Sequence, residues 1–181
     1  FTEGQSLNVD VIDDQTNGYF VTKWTNLTDA KQTASNTADG GVNTDYPLFR
    51  LADVYLMMAE AHLRGGTGAT NSEVTGYVNL LRERAYGDNS GNKQDYEFDN
   101  QNQSKNKEYL QFILDERARE LYWEGYRRTD LIRYGIFTNA DYLWQWKGGV
   151  KEGTKVNDKF NIYPIPNTEL TANPNLKNEN Y

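Results

Sequence analysis

Residues 46–61 read Tyr46-Pro-Leu-Phe-Arg-Leu-Ala-Asp-Val-Tyr-Leu-Met-Met-Ala-Glu-Ala61, and the stretch runs on through His62 to Gly65-Gly66. Leu48, Leu51, Tyr55, Met58 and His62 recur at steps of three and four, the spacing that puts side chains on one face of a helix. Pro47 suits a first helical turn, where its missing N–H costs nothing, and the glycine pair suits a left-handed C-terminal cap. The spacing therefore predicts a helix from Pro47 to Gly65.

The same reading extends in both directions. A second helix is expected from Asn71 or Ser72 to Gly87, with Val74, Tyr77, Val78, Leu81 and Ala85 inward. The short connection to the first helix predicts an antiparallel pair, about the size of one TPR-like repeat. Residues 88–107 are polar and rich in Asn and Gln, hence a loop. A third helix is expected over Glu108–Trp123, with Leu110, Ile113, Leu114, Arg117, Ala118 and Leu121 inward and Trp123 in the core. Within it, Asp115 and Arg119 stand four apart in the order that favours an ion pair. A short fourth helix follows over Thr129–Tyr134, stopped by Gly135. The fold expected is all-α, with TPR-like antiparallel helix pairs, long irregular loops and a wrapping C-terminal tail. Residues 1–45 form an irregular lead-in with short extended patches at Val9, Val11 and Tyr19–Val21, residues 46–137 a helical core, and residues 138–181 an extended tail. Pro164, Pro166 and Pro174 keep that tail from being a long helix.

Composition sets the outer limits. The chain has 181 residues, enough for one domain with a real core, and 37% of them are hydrophobic. Its longest apolar run, Val54–Ala59, is far short of the ~20 residues of a membrane-spanning helix. With 19 Lys and Arg against 26 Asp and Glu, the net charge of −7 repels phosphate backbones and argues against nucleic acid as a partner. Cysteine is absent and His62 is the single histidine, so thiolate catalysis and paired-imidazole metal sites drop out and no cofactor is expected. The chain opens on Phe1 without a leader segment, and is expected to be a piece of a longer protein.

Several blocks resemble the C-terminal region of SusD/RagB-family proteins. These are Tyr46–Ala61, Val78-Asn-Leu-Leu-Arg-Glu-Arg-Ala85, the stretch Ile113–Gly135 containing Glu-Leu-Tyr-Trp-Glu-Gly-Tyr-Arg-Arg-Thr-Asp-Leu, and the ending Tyr163-Pro-Ile-Pro166 to Asn178-Glu-Asn-Tyr181. Glu179-Asn180 stands where the family usually shows Pro-Gly. The resemblance implies a non-enzymatic glycan-binding lipoprotein on the outward face of the outer membrane. Such a protein captures oligosaccharides for a SusC-like TonB-dependent transporter and is anchored by a lipid on an upstream segment. It further implies that this region is mainly scaffold and transporter dock. The alternative is a TPR-like protein-interaction module that binds no sugar.

The high aromatic share, 13%, permits sugar stacking as well as packing. Trp24, Tyr142, Trp144 and Trp146 are the candidate glycan contacts. In an extended segment, Tyr142, Trp144 and Trp146 would point to one side. Packing of that row is preferred, with stacking on successive sugars kept as the functional candidate. Asn139, Asn157 and Asn161 suit sugar hydroxyls, turns or caps.

The remaining features read as structure. The five arginines between Glu116 and Gly135 (Arg117, Arg119, Arg127, Arg128 and Arg133) would suit an anion-binding cleft, but are taken as ion pairs and helix-end caps where two helices meet at Gly125. Glu60, Glu83, Glu120 and Glu124 each have an arginine within four residues, which lowers a carboxyl pKa and so argues against a glycosidase acid. His62 is expected to be a packed, hydrogen-bonded core residue. Asp88–Asp99 resembles a calcium loop only faintly, since glycine falls at its fourth place and Asp, not Glu, at its twelfth.

Overall fold

A computed structural model describes residues 6–14, 16–19, 21, 23–28, 30–33, 42, 44–87 and 96–178. The architecture is all-α: α1 Leu51–Leu63, α2 Asn71–Tyr86, α3 Asn106–Glu120, α4 Arg127–Arg133 and α5 Asn167–Ala172. Among the described residues the strand-type pairing amounts to two isolated bridges, Ser6–Asn17 and Leu27–Thr33, so the patches expected at Val9 and Val11 do not form strands. No described helix is long and apolar enough to cross a membrane. The chain divides into two compact units, residues 22–127 and residues 1–21 with 128–181.

In the unit of residues 22–127, α1 packs on both α2 and α3. His62, near the end of α1, meets Asn71 at the start of α2 (2.7 Å), and Tyr55 stacks on Tyr77 at 4.6 Å between ring centres. The two helices are therefore antiparallel, as the short connection predicts. Asn100 N–H donates to Asn71 Oδ1 (3.1 Å), so the segment before α3 has returned to the start of α2. Arg82 and Arg117 then join late α2 and early α1 to late α3. Hence α3 runs in the same direction as α2, and both oppose α1, on which they pack.

The buried stripe of α1 is Ala52, Leu56, Ala59 and Leu63, one residue round from the row that the periodicity selected. Of the expected row only His62 is buried, Tyr55 and Met58 are half-covered, and Leu48 and Leu51 are exposed. Apolar residues surround this helix, so its pattern does not choose a face. Two alanines in the buried stripe permit the close approach of neighbours that larger side chains would block. Phe98, Tyr109 and Ile113 complete the core with Val74, Val78 and Leu81 from α2.

Element ends move for identifiable reasons. Arg50 flanks α1 with an extended backbone, so the helix starts four residues after Pro47. Thr70, not Asn71 or Ser72, caps α2 in a capping box: its hydroxyl accepts from Glu73 N–H and Glu73 accepts from Thr70 N–H. Ala85 is exposed because only Val74, Val78, Leu81 and Arg82 are buried on α2. The third helix ends at Glu120, before Trp123. Trp123 lies in the following turn at φ 64° and is 60% exposed, which corrects its assignment to the core. Arg119 bonds Glu116 (2.6 Å), while Asp115 accepts from Gln111, so the expected Asp115–Arg119 pair gives way to the i,i+3 contact. His62 is buried and hydrogen-bonded as expected. Most of the calcium-like loop, residues 88–95, lies outside the described residues.

The position of the buried stripe is open to a direct check. Leu56→Ala should destabilise the chain by about 2–5 kcal/mol in urea unfolding, and Leu51→Ala by less than about 0.5 kcal/mol.

Candidate functional site

Charge in residues 22–127 is concentrated where the ends of the helices meet. Arg50 donates to both Glu124 oxygens (2.8 and 2.7 Å), to Glu120 Oε1 (2.8 Å) and to the Glu120 carbonyl (3.0 Å). Lys23 bonds the Glu124 carboxylate and reaches the carbonyls of Glu120 (2.8 Å) and Tyr122 (3.2 Å). Arg84 takes the other Glu120 oxygen. Arg117 meets Asp53 at 2.7 Å with both side chains buried, and Arg82 meets Glu116 at 3.1 Å. Arg127 closes the α3 end by donating to the Leu114 carbonyl (2.9 Å). This is the interlocked set of ion pairs and caps that the arginine block led one to expect.

It also bears on hydrolysis. Glu60 pairs with Arg64, and Glu120 with Arg50 and Arg84. Burial pushes the Glu124 carboxyl up, but the hydrogen bonds and charges of Arg50 and Lys23 outweigh it and hold the group below its ordinary 4.5. A general acid for glycoside cleavage needs the opposite shift. Among the described residues there is no metal-binding cluster of His, Cys, Asp or Glu.

The candidate aromatics fall in two places. Trp24 stands beside Tyr46 (5.3 Å between centres) at a small cavity of about 110 Å³, with its indole N–H buried and without a hydrogen-bond partner among the described residues. Tyr142, Trp144 and Trp146 belong to the other unit, whose chain turns there instead of extending. Residues 145–146 are in a turn, and a short 3₁₀ segment, Lys147–Gly149, follows at once. Trp146 has φ 68°, so the even spacing does not line up three rings. Trp146 is half-buried and its indole N–H donates to the Val9 carbonyl (2.7 Å). Trp144 instead lies 5.9 Å from Tyr142 and 6.1 Å from Phe137, and is 40% exposed.

Trp144 forms one wall of a groove of about 760 Å³, with Phe160, Ile162 and Tyr163 among its other apolar sides. A volume of this order suits a small-molecule or short-oligomer ligand. Backbone conformation shapes the groove. Gly153 has φ 79°, and a Cβ there would run into the Trp144 carbonyl; Gly148 has φ 69°, and a Cβ there would run into the Thr154 side chain. Lys147 is buried under the Trp144 ring, 4.8 Å from its centre, and donates to the carbonyls of Asn139 (2.7 Å) and Tyr142 (2.6 Å). Burial pushes its ammonium below the usual lysine range. Asn139 and Asn157 serve as turn and cap, through bonds to Gly135 and Asp141 and to Lys159.

Of the groove residues, Arg128 stands in the arginine block that the sequence reading takes as structural, whereas Lys155, Phe160 and Tyr163 carry no site signal in the sequence. Their approach depends on turns between segments far apart in the chain. The Tyr163-Pro164 pair belongs to the C-terminal pattern, which signals kinship but not a groove wall.

Two outcomes check this geometry. Since the Glu124 carboxyl is depressed in the folded chain, its contribution is complete above about pH 4.5 and lost as pH falls through the lower folded value. The urea midpoint should therefore fall less between pH 6 and pH 3 in Glu124→Gln than in the native chain. Trp146→Phe, which removes the bond to Val9, should cost about 1 kcal/mol in the same assay, and Trp146→Ala about 2–4 kcal/mol.

Comparison with known proteins matches residues 6–181 to the sequence profile of the SusD family. The chain is 39% identical over 179 residues to the starch-binding protein SusD of Bacteroides thetaiotaomicron, covering 98% of this chain and 28% of that protein. It is 36% identical over 131 residues to the SusD-like protein P25 of Formosa agariphila, covering 71% of this chain and 22% of that protein. The chain thus spans less than a third of either relative.

Proposed function

This chain belongs to the SusD family, and from that premise we propose that it is part of a glycan-capture protein serving a SusC-like TonB-dependent transporter. The protein is outward-facing on the outer membrane, held there by a lipid on an upstream segment. It binds oligosaccharide by ring stacking and side-chain hydrogen bonds and performs no chemistry on it. The observation that carries the reading is the 39% identity, across 98% of the chain, to a protein whose name records starch binding. The ion-paired carboxylates support the non-enzymatic part, since they are poor proton donors.

The helical unit is the scaffold and part of the docking surface, and its α1–α2 pair is read as TPR-like. Supporting that role, Leu48 and Phe49, just ahead of α1, and Leu51 at its start are 75%, 84% and 61% exposed. Isolated apolar side chains are ordinary on a surface, but three so close together favour a partner. Of the four candidate aromatics, Trp144 is the one whose setting supports sugar contact, because it is exposed on a groove of suitable volume. Trp146 is committed to packing, and Trp24 has only a small cavity.

Affinity electrophoresis of the chain through gels carrying single polysaccharides tests the reading. Retardation by at least one glycan is expected, with about a tenfold loss of affinity in Trp144→Ala, the effect of removing one ring contact of about 1.4 kcal/mol. Retardation that survives Trp144→Ala unchanged would place the sugar elsewhere. No retardation by any glycan would leave the chain as scaffold and dock alone.

A further inference from the structure

We propose that the Trp144 groove binds an anionic sugar, a pyranose bearing a carboxylate or a sulfate group; this rests on the glycan reading above. Among the described residues the groove is lined by Arg128, Lys147 and Lys155 and by no acidic side chain, in a chain whose net charge is −7. An acidic chain that brings only cations to one concavity creates a local field favouring an anion there.

Each cation has a distinct part. The Arg128 guanidinium lies over the Tyr163 ring at 4.0 Å and spends one N–H on the Phe160 carbonyl (2.6 Å). Its plane is held in place while further donors of the fork stay open to a planar carboxylate or a sulfate edge. Lys155 is exposed, and no ion pair engages it among the described residues. Lys147 is buried and satisfied by carbonyls instead of a carboxylate, so its charge is stabilised by dipoles without being neutralised.

Charge alone would suit any small anion. The walls narrow the class, because Trp144, which is 40% exposed, and Tyr163 both line the groove, and aromatic rings suit the apolar face of a pyranose. A sugar ring with an acidic substituent uses both features, whereas a neutral sugar leaves the cations unused. An acidic peptide would gain the charge contacts without filling the ring wall with a flat, rigid partner.

Calorimetric titration of the full chain with four probes decides the matter: trigalacturonate, a sulfated galactose trisaccharide, neutral maltotriose and penta-aspartate. At low salt, at least one anionic trisaccharide should bind about tenfold tighter than maltotriose, the worth of one charge-assisted hydrogen bond. Which of the two does so identifies the acidic group. Lys155→Ala should remove much of that preference and Lys155→Glu all of it, and an exposed lysine can be changed without disturbing the fold. Trp144→Ala should weaken every sugar. Equal binding of maltotriose would overturn the inference while leaving the glycan reading intact. Binding of penta-aspartate as tight as trigalacturonate would overturn it in favour of a general anion site. An unaltered preference in Lys155→Glu would do the same for the groove assignment. Absence of binding by all three sugars would overturn both the inference and the Trp144 site beneath it.

Discussion

Arg50 joins parts of the chain about seventy residues apart, gripping Glu120 and Glu124 with its whole fork just before α1 begins. Those two acids flank the turn in which α3 ends, so one guanidinium both fixes the entry to α1 and closes the exit from α3. Lys23 and Arg84 draw on the same carboxylates, and Arg117 repeats the device further along with Asp53. Charges so nearly buried are costly unless every one is answered, and a network that answers them admits few alternative arrangements. The apolar core formed by Ala52, Leu56, Val78 and Ile113 supplies most of the burial. The ion pairs decide how the helices that carry it are aligned at their ends.

The groove depends on a different constraint, the close passage of backbone over backbone. Gly153 lies so near the Trp144 carbonyl that no side chain fits, and Trp146 is turned into the left-handed region beside it. These turns send neighbouring indoles to different tasks: Trp146 ties down Val9, and Trp144 faces the groove above a buried lysine. A non-glycine residue at positive φ carries a cost of about 1–2 kcal/mol, which the indole hydrogen bond and its packing offset. The result is a 40% exposed ring that lines the same groove as Arg128, Lys147 and Lys155.

Much of this was legible before any coordinates. Gly65, Gly87 and Gly135 mark helix ends where the reading put them, because a left-handed cap is a local demand that one residue type meets cheaply. Four of the block's arginines act as read, Arg117, Arg119 and Arg133 in ion pairs and Arg127 as a helix-end cap, for a similarly local reason, an excess of forks and carboxylates within one short stretch. Arg128 departs from it, bonding the Phe160 carbonyl and lying over the Tyr163 ring. The face of α1 did not follow, since Leu51, Val54 and Met57 compete with Ala52, Leu56 and Ala59 for the inside, and periodicity weighs both rows alike. Trp123 was misplaced because helical spacing was carried three residues past the point where α3 stops.

The amino-acid sequence by itself determined the helical class, the order and approximate limits of the main helices, and, through its blocks of resemblance, the family. Those features rest on local propensity, caps and spacing, which act between residues near one another in the chain. Tertiary structure alone decided which face of α1 is buried, which carboxylate each arginine takes, and that Trp144, Lys147, Tyr163 and Arg128 share one groove. These are contacts made across loops whose course is set by packing and by turns such as that at Gly153, and no local rule specifies where such a loop delivers its side chains.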